Sequence, residues 1–104
     1  MIKKKLCKTS YLDENKFFKK WIIEFKDELI IFKNKNKIYV KSAVCPHFGG
    51  PIDFDEKNQF LFCYWHGLRF SLENGRCINQ KTFKPCLIEY LYEIKKDYIY
   101  VYKK

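Results

Sequence analysis

The sequence predicts an all-β domain: a small antiparallel barrel or sandwich with a loop-rich segment, at about 43–80, inserted between its strands. Three observations carry that expectation. Short runs rich in Ile, Tyr, Phe and Val recur along the chain, and these side chains suit a pleated surface. Turn signals separate the runs, and no stretch repeats apolar residues with the period of a long amphipathic helix. At 104 residues, with 47% hydrophobic and 19% aromatic content, the chain has the size and composition of one folded domain, 1–104.

The runs fall at 2–8, 17–24, 28–33 and 37–42, then at 60–63, 69–72, 76–79, 86–94 and 98–103. In the 86–94 run, Ile88, Tyr90, Tyr92 and Ile94 stand at the even positions, with Glu89 and Glu93 between them. That period of two predicts a half-buried strand with its even positions inward. Turns are expected at Asn34-Lys35-Asn36, at Asn74-Gly75 and at Lys95-Lys96-Asp97. Asn-Gly is the strongest of these signals, because a two-residue hairpin turn needs positive φ at both positions.

The net charge is +9, from 21 basic and 12 acidic residues. It is unevenly spread. Residues 1–41 hold twelve Lys against five acids (+7), 42–80 hold three basic residues against four acids (−1), and 81–104 hold six Lys against three acids (+3). Only two of the basic residues are Arg, whereas forked Arg contacts are favoured where phosphates and bases are read. A solvated lysine surface is therefore expected, with no nucleic-acid partner. No signal-peptide-like segment follows the basic N-terminus, and the longest aliphatic run, Leu29-Ile30-Ile31-Phe32, is far too short to cross a bilayer. A cytoplasmic protein with no membrane association is expected, and the odd number of cysteines, five, fits reduced thiols or metal ligands better than a secreted disulfide framework.

The chemistry concentrates in two short stretches. "CPHFGG" at 45–50 and "CYWHGL" at 63–68 contain both histidines of the chain, His47 and His66, each just after a cysteine. Each stretch offers one sulfur and one nitrogen, and two such loops brought together make a four-ligand site from Cys45, His47, Cys63 and His66. Such a donor set suits zinc or an iron–sulfur centre. Zinc fingers usually take two cysteines from one loop and two histidines from a helix. Here each loop gives one of each, as C-x-H and C-x-x-H with fifteen residues between, and a zinc-binding interaction module stays as the alternative. Cys7, Cys77 and Cys86 have no partner motif and are expected to be structural thiols, with a Cys77–Cys86 pair as the other reading.

This spacing, with "VCPHFGGPI", "CYWHGLRF" and the trailing "NGRCINQ", resembles the Rieske [2Fe–2S] family, and closely the Rieske domains of ring-hydroxylating oxygenases. The resemblance implies that Cys45 and Cys63 bind one iron and His47 and His66 the other, within a cluster-binding subdomain at about 43–80. In high-potential members of the family, an extra cysteine in each loop forms a disulfide, and a serine and a tyrosine hydroxyl face the cluster. The matching positions here are Gly50, Trp65, Leu68 and Phe70. A low-potential site, at roughly −150 to 0 mV in the Rieske range, is expected. Tyr64 and Trp65 are read first as packing for the second loop.

A Rieske oxygenase also needs a mononuclear iron held by two further histidines and a carboxylate, and no histidine is left here once the cluster has taken both. The expectation is a soluble Rieske-type ferredoxin, not itself an enzyme, carrying single electrons from a flavin-dependent reductase to a terminal oxygenase or similar enzyme. The alternative is the small Rieske subunit of a nitrite reductase or oxidase complex.

Overall fold

The computed structural model describes residues 2–14, 17–46, 49–65 and 67–103. Among these residues nine strands and one short helix follow in order: β1 (Ile2–Lys8), α1 (Thr9–Glu14), β2 (Phe17–Ile22), β3 (Asp27–Asn34), β4 (Lys37–Ser42), β5 (Ile52–Asp55), β6 (Phe60–Cys63), β7 (Arg69–Phe70), β8 (Leu91–Lys95) and β9 (Tyr98–Lys103). All pairings between them are antiparallel, in three sheets ordered β1-β9-β8, β2-β3-β4 and β5-β6-β7. The all-β expectation holds, including an inserted subdomain, which is the third sheet and its loops.

The first two sheets wrap one shared core as a small, incompletely hydrogen-bonded barrel. Residues 88–90 run beside β4, where the Ser42 N–H donates to Ile88 O (2.8 Å) and the Tyr90 N–H to Val40 O (2.9 Å). The chain then leaves β4 and pairs with β9 as β8. Across the opposite seam, Lys20 Nζ on β2 donates to the Leu6 carbonyl on β1. An extra residue interrupts the β1–β9 register between Lys5 and Cys7, and that residue, Leu6, is buried in the barrel core with Ile22, Phe25, Leu29, Ile31, Val40, Tyr90, Ile99 and Val101.

Strand β3 is buried on both faces. Leu29 and Ile31 belong to the barrel core, while Ile30 and Phe32 belong to a second core shared with the inserted sheet, and all four are 0% exposed. The run "LIIF" is continuous because the strand has no solvent face. Phe54 of β5 stacks on Phe32 (4.7 Å between centroids), which in turn stacks on Tyr39 (5.0 Å). Lys19 on β2 pairs with Asp53 on β5 at 3.1 Å, and the Tyr39 hydroxyl donates to Glu73 at 2.8 Å. These contacts seat the subdomain on the barrel wall.

Several sequence expectations are corrected. The 86–94 run is not a strand with its even positions inward: Leu87 and Tyr90 are buried, whereas Ile88, Tyr92 and Ile94 are exposed. Its first part borders β4 and its second β9, so no single alternation spans it. Residues 76–79 form no strand and contribute only a bridge between Phe70 and Cys77. Asn74-Gly75 is not a two-residue turn, since only Gly75 has positive φ (+71°). The two-residue turns with both residues at positive φ are Lys35-Asn36 and Lys96-Asp97. Strand β5 and helix α1 had no sequence expectation.

Candidate metal centre

Cys45 follows β4 and Cys63 ends β6, and each opens a loop closed in the same way. The Cys45 N–H donates to Gly50 O (2.8 Å) and the Gly49 N–H donates back to Cys45 O (2.9 Å). In the second loop the Cys63 N–H donates to Leu68 O (2.9 Å) and the Gly67 N–H to Cys63 O (3.0 Å). The fifth residue of each loop has positive φ, +76° at Gly49 and +66° at Gly67, a conformation glycine adopts at least cost. A third loop, from Ser71 to Arg76, repeats the pattern with Gly75 in the fifth place. The glycine that follows each Cys/His pair is thus the residue that closes its loop.

The two cysteine loops lie against each other. Cys63 pairs with Ile52, Val44 bridges to Pro51, and the Tyr64 N–H reaches Pro51 O at 3.3 Å. Cys45 and Cys63 are 2% and 1% exposed and share one core with Ile52, Leu68 and Phe70. A methyl group placed on Gly50 would lie 2.7 Å from Cys63 Sγ and 3.0 Å from the Trp65 ring, so only glycine lets the first loop approach that sulfur so closely. Two buried thiols not joined in a disulfide, on matched loops in contact, fit a metal centre that takes thiolate ligands. His47 and His66 lie outside the described residues, and among the described residues no group of three metal-ligating side chains is present.

The surroundings of the site are apolar on the inside and aromatic on the outside. Leu68 and Phe70 are buried (5% and 0% exposed), while Tyr64 and Trp65 are 60% and 59% exposed. Tyr64 meets Phe62 edge-on (4.9 Å), and a hydrogen bond with the Asp53 carboxylate raises its hydroxyl above the ordinary tyrosine pKa. Trp65 packs across Gly50, so these two side chains do pack the second loop, but with much of their surface open to solvent.

One residue of the site had no role in the sequence reading. Asn79 donates from Nδ2 to the Gly67 carbonyl (2.8 Å) and accepts the Arg69 N–H on Oδ1 (2.9 Å). It holds the second loop by both sides of its amide. It stands inside the "NGRCINQ" stretch that drew the family resemblance, which was the available signal.

No curated protein matches the chain in sequence. Among solved structures, the plasma-membrane Rieske protein PetC3 of Synechocystis PCC 6803 is similar with a TM-score of 0.79 at 17% identity, over 95% of this chain and 98% of that one. A protein of Mycobacterium tuberculosis described as the small subunit of an NADH-dependent nitrite reductase is similar with a TM-score of 0.68 at 14% identity, over 96% of this chain and 93% of that one. The terminal oxygenase of carbazole 1,9a-dioxygenase from Novosphingobium sp. KA1 gives 0.75 at 13% identity, over 96% of this chain but 29% of that one. The family model for the Rieske [2Fe–2S] domain matches residues 3–96. With that match over nearly the whole chain, the protein belongs to the Rieske [2Fe–2S] family.

Proposed function

We propose that this protein is a one-electron carrier whose [2Fe–2S] cluster is held by Cys45 and Cys63 on one iron and by His47 and His66 on the other. The observation that carries the reading is the pair of matched loops in contact, each opened by a buried cysteine of the same core. A Rieske centre bound there supplies reversible one-electron transfer, at a potential raised by its neutral imidazole ligands. The chain's own part is to position and shield. Glycine closes each loop, Asn79 fixes the second, and Leu68 and Phe70 keep water and hydroxyl donors away from the sulfurs.

The partners proposed are a flavin-dependent reductase as donor and a terminal oxygenase or similar enzyme as acceptor, in the cytoplasm. A partner would dock on the exposed Val44, Tyr64 and Trp65 around the loops, with the lysine-rich barrel adding salt-dependent steering. No helix among the described residues is long and apolar enough to cross a membrane. A second reading, as the small subunit of a larger reductase, is favoured by the similarity to the nitrite reductase small subunit over nearly its full length. Co-purification at fixed stoichiometry with a large subunit would support that reading.

Anaerobic purification followed by electron paramagnetic resonance of the reduced protein tests the site. A rhombic signal with the low average g of a mixed Cys/His cluster is expected, and it should vanish in Cys45→Ser and His66→Ala. Colourless protein containing zinc would overturn the proposal.

A further inference from the structure

Away from the metal centre, Cys77 and Cys86 line one cavity of about 310 Å³, together with Arg76, Lys81, Phe83 and Lys84. The chain brings the two cysteines there from two segments locked together a residue or two away. The Leu87 N–H donates to Gly75 O at 2.9 Å, and Gly75 is so close that a methyl group on it would meet Leu87 backbone atoms at 2.9 and 3.2 Å. Cys77 follows that junction by two residues on one segment, and Cys86 precedes it by one on the other. Neither is in a disulfide; Cys86 is exposed and Cys77 half-buried. Residues 76–88 carry three cations and no acid, so the cavity is electropositive.

We infer that Cys77 and Cys86 form a dithiol site that reacts with small anionic disulfides and closes into an intramolecular disulfide. The anion is drawn by Arg76, Lys81 and Lys84, and the exposed Cys86 is the first nucleophile. The Cys86 sulfur, losing its proton, attacks one sulfur of the small disulfide and releases one thiol. Cys77, losing its proton, then attacks Cys86 Sγ in the mixed disulfide and releases the second thiol. Two electrons pass from the cysteine pair to the small disulfide, and the two protons end on the two departing thiols.

The experiment treats the cluster-loaded full chain anaerobically with oxidised glutathione and maps disulfides by mass spectrometry, with visible absorption reporting that the cluster stays intact. A Cys77–Cys86 linkage that dithiothreitol reverses is expected, and Cys77→Ser should stop the reaction at a mixed disulfide on Cys86. Charge reversal in the double variant K81E/K84E should slow the reaction about tenfold while leaving the rate with neutral hydroxyethyl disulfide unchanged. A mixed disulfide on Cys86 that persists in the unsubstituted protein, a linkage through Cys7 or between chains, or charge reversal with no selective effect would each overturn the assignment.

Discussion

Gly50 of the first loop lies directly against Cys63 of the second, with 2.7 Å between the thiol sulfur and the point where a Cβ would stand. The same point is 3.0 Å from the Trp65 ring, so the indole and the thiol together leave no room for even a methyl group. Gly50→Ala should therefore force the loops apart, at a cost of about 1–3 kcal/mol for overpacking, and should lower iron content. Gly67→Ala is the control. Nothing lies within 4 Å of a Cβ there, and only its φ of +66° resists the change, which should cost about 1 kcal/mol. Thermal unfolding and iron per chain measured on both variants check the contrast, and equal iron loss would refute it.

Asn79→Ala removes the donor to the Gly67 carbonyl and the acceptor for the Arg69 N–H. Each bond contributes about 0.5–1.5 kcal/mol. Faster loss of cluster absorbance in chelator should accompany a lower melting temperature. Asn79→Asp keeps the acceptor but presents oxygen to the Gly67 carbonyl, so it should protect the loop no better than alanine does.

The parts of this protein that were legible in its sequence are those whose chemistry is local. Two cysteines, each opening a loop that a glycine four residues on closes, are legible from spacing alone, whereas His47 and His66 lie outside the described residues. The double burial of β3 is written in the unbroken run Leu29 to Phe32, although a run that short names neither the barrel nor the subdomain that cover it. The turns expected at 34–36 and 95–97 are present, and turn type was the less readable part. Asn74-Gly75 carries the stronger signal, yet Lys35-Asn36 and Lys96-Asp97 adopt the two-residue form, because the paired strands on either side of them fix the loop length. Residues 86–94 misled because the segment changes neighbour from β4 to β9 partway along. Which residues face inward then depends on tertiary pairing and not on alternation.

Introducing hydroxyl donors at positions 68 and 70, buried in the core that holds Cys45 and Cys63, should raise the midpoint potential. Leu68→Ser and Phe70→Tyr place an O–H where the structure has only apolar surface, and a donor to a cluster sulfur or a ligand cysteine favours the reduced, more negative state. A net hydrogen bond of about 0.5–1.5 kcal/mol corresponds to an upward shift of roughly 20–60 mV each, at 59 mV per tenfold for one electron. Redox titration under anaerobic conditions reads the shift. A fall in potential, or none in either variant, would show that these positions do not face the cluster.

Lys41 on β4 is fully buried and its Nζ lies 3.0 Å from Glu89 Oε2, whose side chain is half exposed. This pair ties β4 to the segment that closes the barrel. Glu89→Gln leaves the ammonium without its countercharge and should destabilise the fold by about 1–3 kcal/mol, less than for a wholly buried pair because water reaches the Glu89 side. Replacing both partners, as Lys41→Met with Glu89→Leu, should restore most of that loss. Denaturant unfolding of the single and double variants measures the difference, and additive losses would show that the pair is not coupled.

Burial and the hydrogen bond to Glu73 push the Tyr39 hydroxyl up from 10.0 to about 12. The neutral phenol is the form the folded state holds. A group whose pKa is higher folded than unfolded contributes stability that is full below the unfolded value and is lost as pH rises through the folded one. Tyr90 shifts in the same direction, through burial and then its 2.6 Å hydrogen bond to the buried Asp27. Stability should therefore begin to fall above about pH 10 and keep falling through pH 12. The largest tyrosine shifts are at these two hydroxyls, which join the barrel to the third loop and to β3. Tyr39→Phe should lower stability at neutral pH, where Glu73 loses its donor, and should flatten the alkaline fall. Denaturant midpoints measured from pH 8 to 12 on the parent and the variant separate the two effects, and an alkaline slope unchanged in the variant would assign the loss to other groups.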